Sequence, residues 1–236
     1  GIDNSIKLAR DMGITGLANR DRYGLTLVLG GGEVKLVDMV SAYGVFANEG
    51  KKVEKTSILR IEDANGNVIE ELKPREEEVL DRNVALQISS ILSDNVARTP
   101  LYGANSQLYF PGMDVAAKTG TTNDYRDAWI LGYTPNLAAG AWAGNNDNRS
   151  MEKKISGLIV TPMWREFMDF ALTKREKVSF AEPAATPPDI KPILRGVWFD
   201  SGAVTATQND TSSGGVNVGS ALSSVHSILH YVHKDD

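Results

Sequence analysis

The sequence predicts an α+β domain, an antiparallel sheet flanked by helices. Three observations carry this. Residues 113–122, 127–135 and 137–144 read as three successive strands, joined by connections too short for a parallel crossover. Apolar residues at helical spacing precede them at 81–92 and follow them at 161–172. The third strand is rich in Ala and Gly, which lets another layer come close.

The elements follow in order. Residues 3–12 form a helix: Asp3 is placed to cap it, Ile6, Leu8, Ala9 and Met12 are its apolar positions, and Gly13 closes it. A short apolar run at 25–29 leads into Gly30-Gly31-Gly32. These glycines lack the lysine and hydroxyl of a phosphate loop and the spacing of a dinucleotide fingerprint, so they read as a turn. A helix over 34–47 follows. Leu36, Val37, Met39, Val40, Tyr43, Val45 and Phe46 predict that it is well buried, and Asn48-Glu49-Gly50 ends it. Residues 53–62 and 67–72 flank Ala64-Asn65-Gly66, a hairpin signal. The charged stretch 73–78 reads as a solvated turn. Asp81 then caps a helix to about residue 92, with Val84, Ala85, Ile88, Ile91 and Leu92 at helical spacing. Residues 96–111, rich in Gly, Asn, Ser and Pro, read as a loop.

In the strand at 127–135, Asp127, Trp129, Leu131 and Tyr133 share one face, and Ala128, Ile130 and Gly132 the other. The helix over 161–172 is the candidate to pack on the small residues of the next strand. Thr161 is its cap, Pro162 its first residue, and Met163, Trp164, Phe167, Met168, Phe170 and Ala171 its apolar surface. The domain is expected to span 1–176. A Pro-rich linker follows at 177–192, and then a tail, or the start of a small extra region, at 193–236.

A chain of 236 residues is long enough for one substantial core, and 42% hydrophobic with 23% charged residues is the balance of an ordinary globular domain. The formal charge of -5 argues against nucleic acid as a partner. The absence of cysteine excludes disulfides, thiol catalysis and cysteine-based zinc sites. No run reaches the length of a membrane span, and the N-terminus has no signal-peptide pattern. The opening at Gly1-Ile2-Asp3, without an initiator methionine, creates the expectation of a fragment of something longer.

Chemistry concentrates at Lys118-Thr119-Gly120-Thr121. A cation and hydroxyls sit at the end of a strand that has strand neighbours. Thr119 and Thr121 lie two apart and share a strand face, and Gly120 between them lets a ligand or another backbone approach. An extended backbone here can offer an N–H. These groups suit holding a substrate carboxylate and building an oxyanion hole. As a bare motif the same residues read first as a plain strand end with a solvated lysine.

The surroundings add a resemblance. Residues 117–122 (Ala-Lys-Thr-Gly-Thr-Thr), 127–135 (Asp-Ala-Trp-Ile-Leu-Gly-Tyr-Thr-Pro) and 141–144 (Ala-Trp-Ala-Gly) carry it, with 29–34 and 41–50 upstream. Over roughly residues 1–175 the chain resembles the C-terminal part of the transpeptidase domain of class A (bifunctional) penicillin-binding proteins. The resemblance implies the penicillin-binding/β-lactamase-like transpeptidase fold, incomplete at its N-terminal side. It implies a serine D,D-transpeptidase that cross-links peptidoglycan stem peptides ending in D-Ala-D-Ala and is a target of β-lactams. No cofactor or metal is implied. A glycosyltransferase domain and a membrane anchor would precede the chain, with the catalytic domain outside the cytoplasm.

The family's site has three motifs, Ser-x-x-Lys, Ser-x-Asn and Lys-Thr-Gly. Carried over, Lys118 would position and polarise the Ser-x-Asn group. Thr119 and Thr121, with Gly120 between them, would bind the terminal carboxylate, and the Thr121 N–H would supply half of the oxyanion hole. The nucleophilic serine is expected before Gly1. Two matches are decoys. Ser150-Met151-Glu152-Lys153 follows Lys118 and reads as a surface turn, and Ser93-Asp94-Asn95 reads as a helix end. His226, His230 and His233 are spaced like metal ligands, but they read better as solvated residues of a terminal segment. The reading of another class is a non-catalytic module that binds peptidoglycan without turnover. A β-lactamase fits less well, because the tail and the strands after Thr122 look like the transpeptidases.

Overall fold

The computed structural model describes residues 1–185 and 189, of which Gly1–Ala184 form one compact unit. The three histidines, and the linker and tail beyond these positions, lie outside the described residues.

Helix α1 (Ile2–Asp11) starts one residue earlier than the sequence predicts, so Gly1 occupies the cap position. Asp3 falls inside the first turn, where a carboxylate still favours the positive helix end, and it pairs with Arg20 at 2.9 Å. Gly13 closes the helix at φ +99°. Residues 25–29 form a short 3-10 helix with Leu25, Val28 and Leu29 exposed, and Gly30 turns the chain in the left-handed region.

Helix α2 (Leu36–Ala47) is less buried than its apolar content predicts. Val37 is 58% exposed, whereas Asp38 is only 2% exposed. The Asp38 carboxylate accepts from the Thr15 N–H at 3.0 Å, from the Thr15 hydroxyl at 2.7 Å, and from the Lys55 ammonium. A polar residue is buried because three donors from two other segments converge on it.

Four short strands come next: β1 (Lys51–Val53), β2 (Arg60–Glu62), β3 (Val68–Glu71) and β4 (Glu76–Glu78). The hairpin is β2–β3, and Asp63 ties its turn by accepting from the Asn65 and Asn67 N–H groups. The expected turn at 73–78 is instead partly strand, because β4 pairs antiparallel with β1. The reason is cross-strand charge. Glu76 and Glu77 lie beside Lys51 and Lys52, each pair at 2.9 Å, and a run of glutamates read alone does not reveal that partner.

Helix α3 (Arg82–Ser93) is capped by Asp81, which accepts from the Val84 N–H at 3.0 Å. The expected loop at 96–111 holds a second helix, α4 (Asn95–Tyr102). Asp94 ends α3 and caps α4 through the Ala97 N–H at 2.9 Å. Pro100 within this helix removes one donor and so disguises it in the sequence.

The main sheet comprises β5 (Ala116–Thr121), β6 (Asp127–Thr134) and β7 (Leu137–Gly144), antiparallel in the order β5-β6-β7. Helices α5 (Ser156–Ile159) and α6 (Thr161–Leu172) follow. Val160, not Thr161, holds the cap position of α6. Because α5 runs straight into α6, the Thr161 hydroxyl turns back to the Ser156 carbonyl at 3.4 Å.

Each face of the sheet carries helices. Ala117, Ala128 and Ile130 pack with the buried Trp164 and Met168 of α6. Gly132 makes this possible, since a Cβ there would stand 2.3 Å from Trp164 Cζ2. On the other face Tyr133 meets Tyr43 and Phe46 of α2 edge-on or tilted, and its hydroxyl bonds to Ser89 of α3 at 3.0 Å. A Cβ at Gly140 would stand 2.8 Å from Val40 Cγ2 of α2. The small residues therefore admit α2 as well as the expected α6. Burial pushes the Tyr133 phenol up to about 12.

Candidate active site

Lys118, Thr119 and Thr121 lie on β5, the edge strand of the three-stranded sheet. The register sets their directions. Thr119 and Thr121 stand opposite Ile130 and Ala128, on the α6 face, and Lys118 stands opposite Leu131, on the α2 and α3 face. The two hydroxyls therefore point one way and the lysine stem the other. The lysine head bends to the edge, where its ammonium donates to the Thr119 carbonyl at 2.7 Å. It meets a carbonyl rather than a carboxylate, so its positive charge stays uncompensated by this contact.

The backbone has a matching asymmetry. The Thr122 N–H donates across to the Asp127 carbonyl of β6 at 3.1 Å. Successive N–H groups of an extended strand point to opposite sides, so the Thr121 N–H projects off the open edge. One short stretch thus presents an ammonium, an outward N–H and two threonines, of which Thr119 is half-buried and Thr121 exposed.

Neighbouring elements hold this strand end in place. Thr122 and Asp127 clamp the β5–β6 connection: their hydroxyl and carboxylate meet at 2.9 Å, and the Asp127 N–H returns to the same hydroxyl at 2.8 Å. The other carboxylate oxygen of Asp127 accepts from the Trp142 indole at 2.9 Å. Gly144 leaves room for that indole, since a Cβ there would stand 2.5 Å from Trp142 Cζ2. Between the clamp residues, Asp124 and Tyr125 both take positive φ, which sharpens the break at Asn123-Asp124.

Two partners of the threonines come from distant elements. The Tyr102 hydroxyl at the end of α4 lies 2.7 Å from Thr119 Oγ1. Ser156, fully buried at the start of α5, lies 2.6 Å from Thr121 Oγ1 through its own hydroxyl, and its N–H donates to Thr121 Oγ1 at 3.0 Å. Sequence reasoning missed both. Tyr102 falls in a stretch read as loop, and Ser156 is a small residue between Ile155 and Gly157 with no capping signal.

Among the described residues, neither decoy serine hydrogen-bonds to residues 118–121. Ser93 ends α3 with its hydroxyl on the Ser90 carbonyl, and with Asn95, Phe110 and Asp114 it lines a concavity that includes none of residues 118–121. Ser150 lies in an exposed polar loop, where its carbonyl accepts from Asn145.

Residues 12–169 match the penicillin binding protein transpeptidase domain family. The chain belongs to that family. It is 30% identical to penicillin-binding protein 2D of Bacillus subtilis over 210 residues, covering 85% of this chain and 28% of the relative. It is 36% identical to penicillin-binding protein 1A of Aquifex aeolicus over 154 residues, covering 65% of this chain and 20% of the relative. The chain thus spans about a quarter of the length of the curated relatives it matches. Among solved structures it is similar to the PonA1 protein of Mycobacterium tuberculosis in complex with penicillin V, at 25% identity and a TM-score of 0.64, over 75% of this chain and 51% of that one. The structure of penicillin-binding protein 1A from Haemophilus influenzae, at 22% identity and a TM-score of 0.66, shares the fold over 91% of this chain and 38% of that one. The penicillin-binding transpeptidase fold expected from the sequence is therefore present. Among the described residues no helix is long and apolar enough to cross a membrane.

Proposed function

We propose that residues 1–176 are the C-terminal part of the D,D-transpeptidase domain of a class A penicillin-binding protein, and that the open edge of β5 is the anion-holding wall of its active site. The observation that carries this is the edge position of Lys118-Thr119-Gly120-Thr121, with a cation, a hydroxyl and an outward N–H side by side, in a chain of this family.

In the reaction a serine hydroxyl attacks the carbonyl that joins the two D-alanines of a stem peptide. The serine proton passes to the leaving D-alanine amine, and an ester forms. The amine of a neighbouring stem peptide then attacks the ester, releasing the serine and completing the cross-link. Lys118 supplies positive potential beside the Ser-x-Asn group. Thr119 and Thr121 hold the terminal carboxylate, Gly120 admits it close to the strand, and the Thr121 N–H receives half of the developing oxyanion charge. A β-lactam enters the same site and stops at the ester. The nucleophile belongs to sequence before Gly1, as do a glycosyltransferase domain and a membrane anchor, and the domain works outside the bacterial cytoplasm. In this reading residues 177–192 are a linker and 193–236 a tail or the start of a small extra region.

Intact-mass analysis with a labelled penicillin tests this. The full gene product should take up one label per chain, on the serine of a Ser-x-x-Lys sequence upstream of Gly1, and the 236-residue chain alone should take up none. Label on Ser150 or Ser93 would overturn the motif assignment. Reversible binding by the full product without any adduct would favour the non-catalytic module.

A further inference from the structure

The sheet face that carries Lys118 is covered at one end and bare at the other. The register sets its side chains in rows across the three strands. Ala116, Tyr133 and Ala138 form one row, Lys118, Leu131 and Gly140 the next, and Gly120, Trp129 and Trp142 the third. Helix α2 covers the first two. Tyr43 and Phe46 meet Tyr133, Val40 stands over Gly140, and Tyr133 and Leu131 are both buried. The third row is left open. Trp142 is 39% exposed, and Val37, one turn before Val40 on α2, is exposed as well.

The open indole is nevertheless fixed. Its N–H donates to Asp127 Oδ1 at 2.9 Å, and the other oxygen of that carboxylate is held by the Thr122 hydroxyl. The ring lies over Gly144, where a Cβ would stand 2.5 Å from Trp142 Cζ2 and 3.1 Å from Cε2. Its polar atom is satisfied, one face rests on the strand, and the rest is apolar surface in water. Covering such a ring loses little side-chain freedom and leaves no donor unpaired, which are the properties of an interface anchor.

Position identifies what covers it. Neighbouring strands lie about 4.8 Å apart, so about 10 Å separates Trp142 from Gly120 across Trp129. A helix with its side chains is about 10–12 Å across. An element seated on this row therefore also reaches the edge beside Lys118. The reaction needs a nucleophilic serine at that edge. Among the described residues, the serine that hydrogen-bonds to residues 118–121 is Ser156, which is buried on the α6 side. The chain also covers 51% of the PonA1 structure, so about half of that structure has no counterpart here.

We propose that the row of Trp129 and Trp142 is the seat of the upstream segment that carries the nucleophilic serine, with the Trp142 indole as its anchor. The inference rests on the transpeptidase reading above, and it adds the surface through which the two parts of the domain meet.

Photo-cross-linking of the full gene product tests this. Trp142→p-benzoylphenylalanine puts a photoreactive aromatic side chain at the anchor. Val37→p-benzoylphenylalanine puts one at an exposed position of α2 and leaves the sheet untouched. After irradiation and digestion, both should be joined to a peptide before Gly1, within about ten residues of the serine that a labelled penicillin marks, the length over which a helix advances about 15 Å. The product should keep the mass of a single chain. Cross-links only into residues 1–236, a product of doubled mass, a cross-link to an upstream stretch remote from that serine, or no cross-link at all would each overturn the inference alone. If the Trp142 variant no longer takes up the label, the Val37 variant decides. Wild-type protein that takes up no label would overturn the transpeptidase reading, and this inference with it.

Discussion

Asp38 should make the stability of this chain depend on acid in a way that one substitution removes. Its carboxylate is buried on α2, yet its pKa is lowered to about 2 from 3.8. Burial alone pushes the carboxyl up, but the hydrogen bonds from Lys55 and Thr15, together with the Lys55 charge, outweigh it. A drop of that size is worth about 2.5 kcal/mol, at about 1.4 kcal/mol per pH unit. The sign follows from the direction. The unfolded chain binds the proton more tightly, so the stabilisation is full above the unfolded value near 4 and is lost as pH falls toward about 2. Asp38→Asn keeps an acceptor for Thr15 and leaves Lys55 without its counter-charge. The Lys55 side chain is 39% exposed, so its ammonium regains water. That holds the cost at neutral pH to about 2–3 kcal/mol, below that of breaking a fully buried pair. Urea unfolding followed by tryptophan fluorescence, on wild type and D38N across this range, checks it. The two stabilities should differ at neutral pH and converge as the acid limit is approached. A gap that stays constant with pH would refute the electrostatic account.

Three further outcomes are expected. Gly132→Ala drives a methyl into Trp164 and the Ala116 carbonyl, and should cost about 2 kcal/mol or more, read as a lowered urea midpoint. Because burial raises the Tyr133 phenol to about 12, the folded state holds its proton more tightly than the unfolded one. Stability should fall as pH rises from about 10 toward 12, and the high-pH loss should shrink in Y133F, measured by urea titration with tyrosinate absorbance as the second probe. Ser156→Ala removes a buried hydroxyl that meets Gly120, Thr121 and Trp129, and should cost about 1–3 kcal/mol while speeding amide exchange at Trp129.

Much of the architecture was legible from periodicity alone. The faces of β6 follow from strict alternation, and its partners on each side follow from the residues that alternation exposes. Asp81 and Gly13 announced their helix boundaries because capping is a local event between residues a few positions apart. Segments whose stability comes from afar were misread. Glu76–Glu78 is a strand because Lys51 and Lys52 lie opposite it. Helix α4 forms around Pro100 because Asp94 caps it and its last residue docks on the core. Asp38 is buried on an apolar helix because Thr15 and Lys55, from two other segments, converge on it.

The candidate site divides in the same way. By itself the sequence determined that a lysine and two threonines end a strand, that the threonines share a face, and which family surrounds them. Side-chain period and motif order are properties of contiguous residues. Only the tertiary structure decided that β5 is an edge strand, that the Thr121 N–H points off it, and which hydroxyl each threonine meets. Thr119 and Thr121 are interchangeable along the chain. They differ in space because α4 brings a phenol to one and α5 a buried serine to the other.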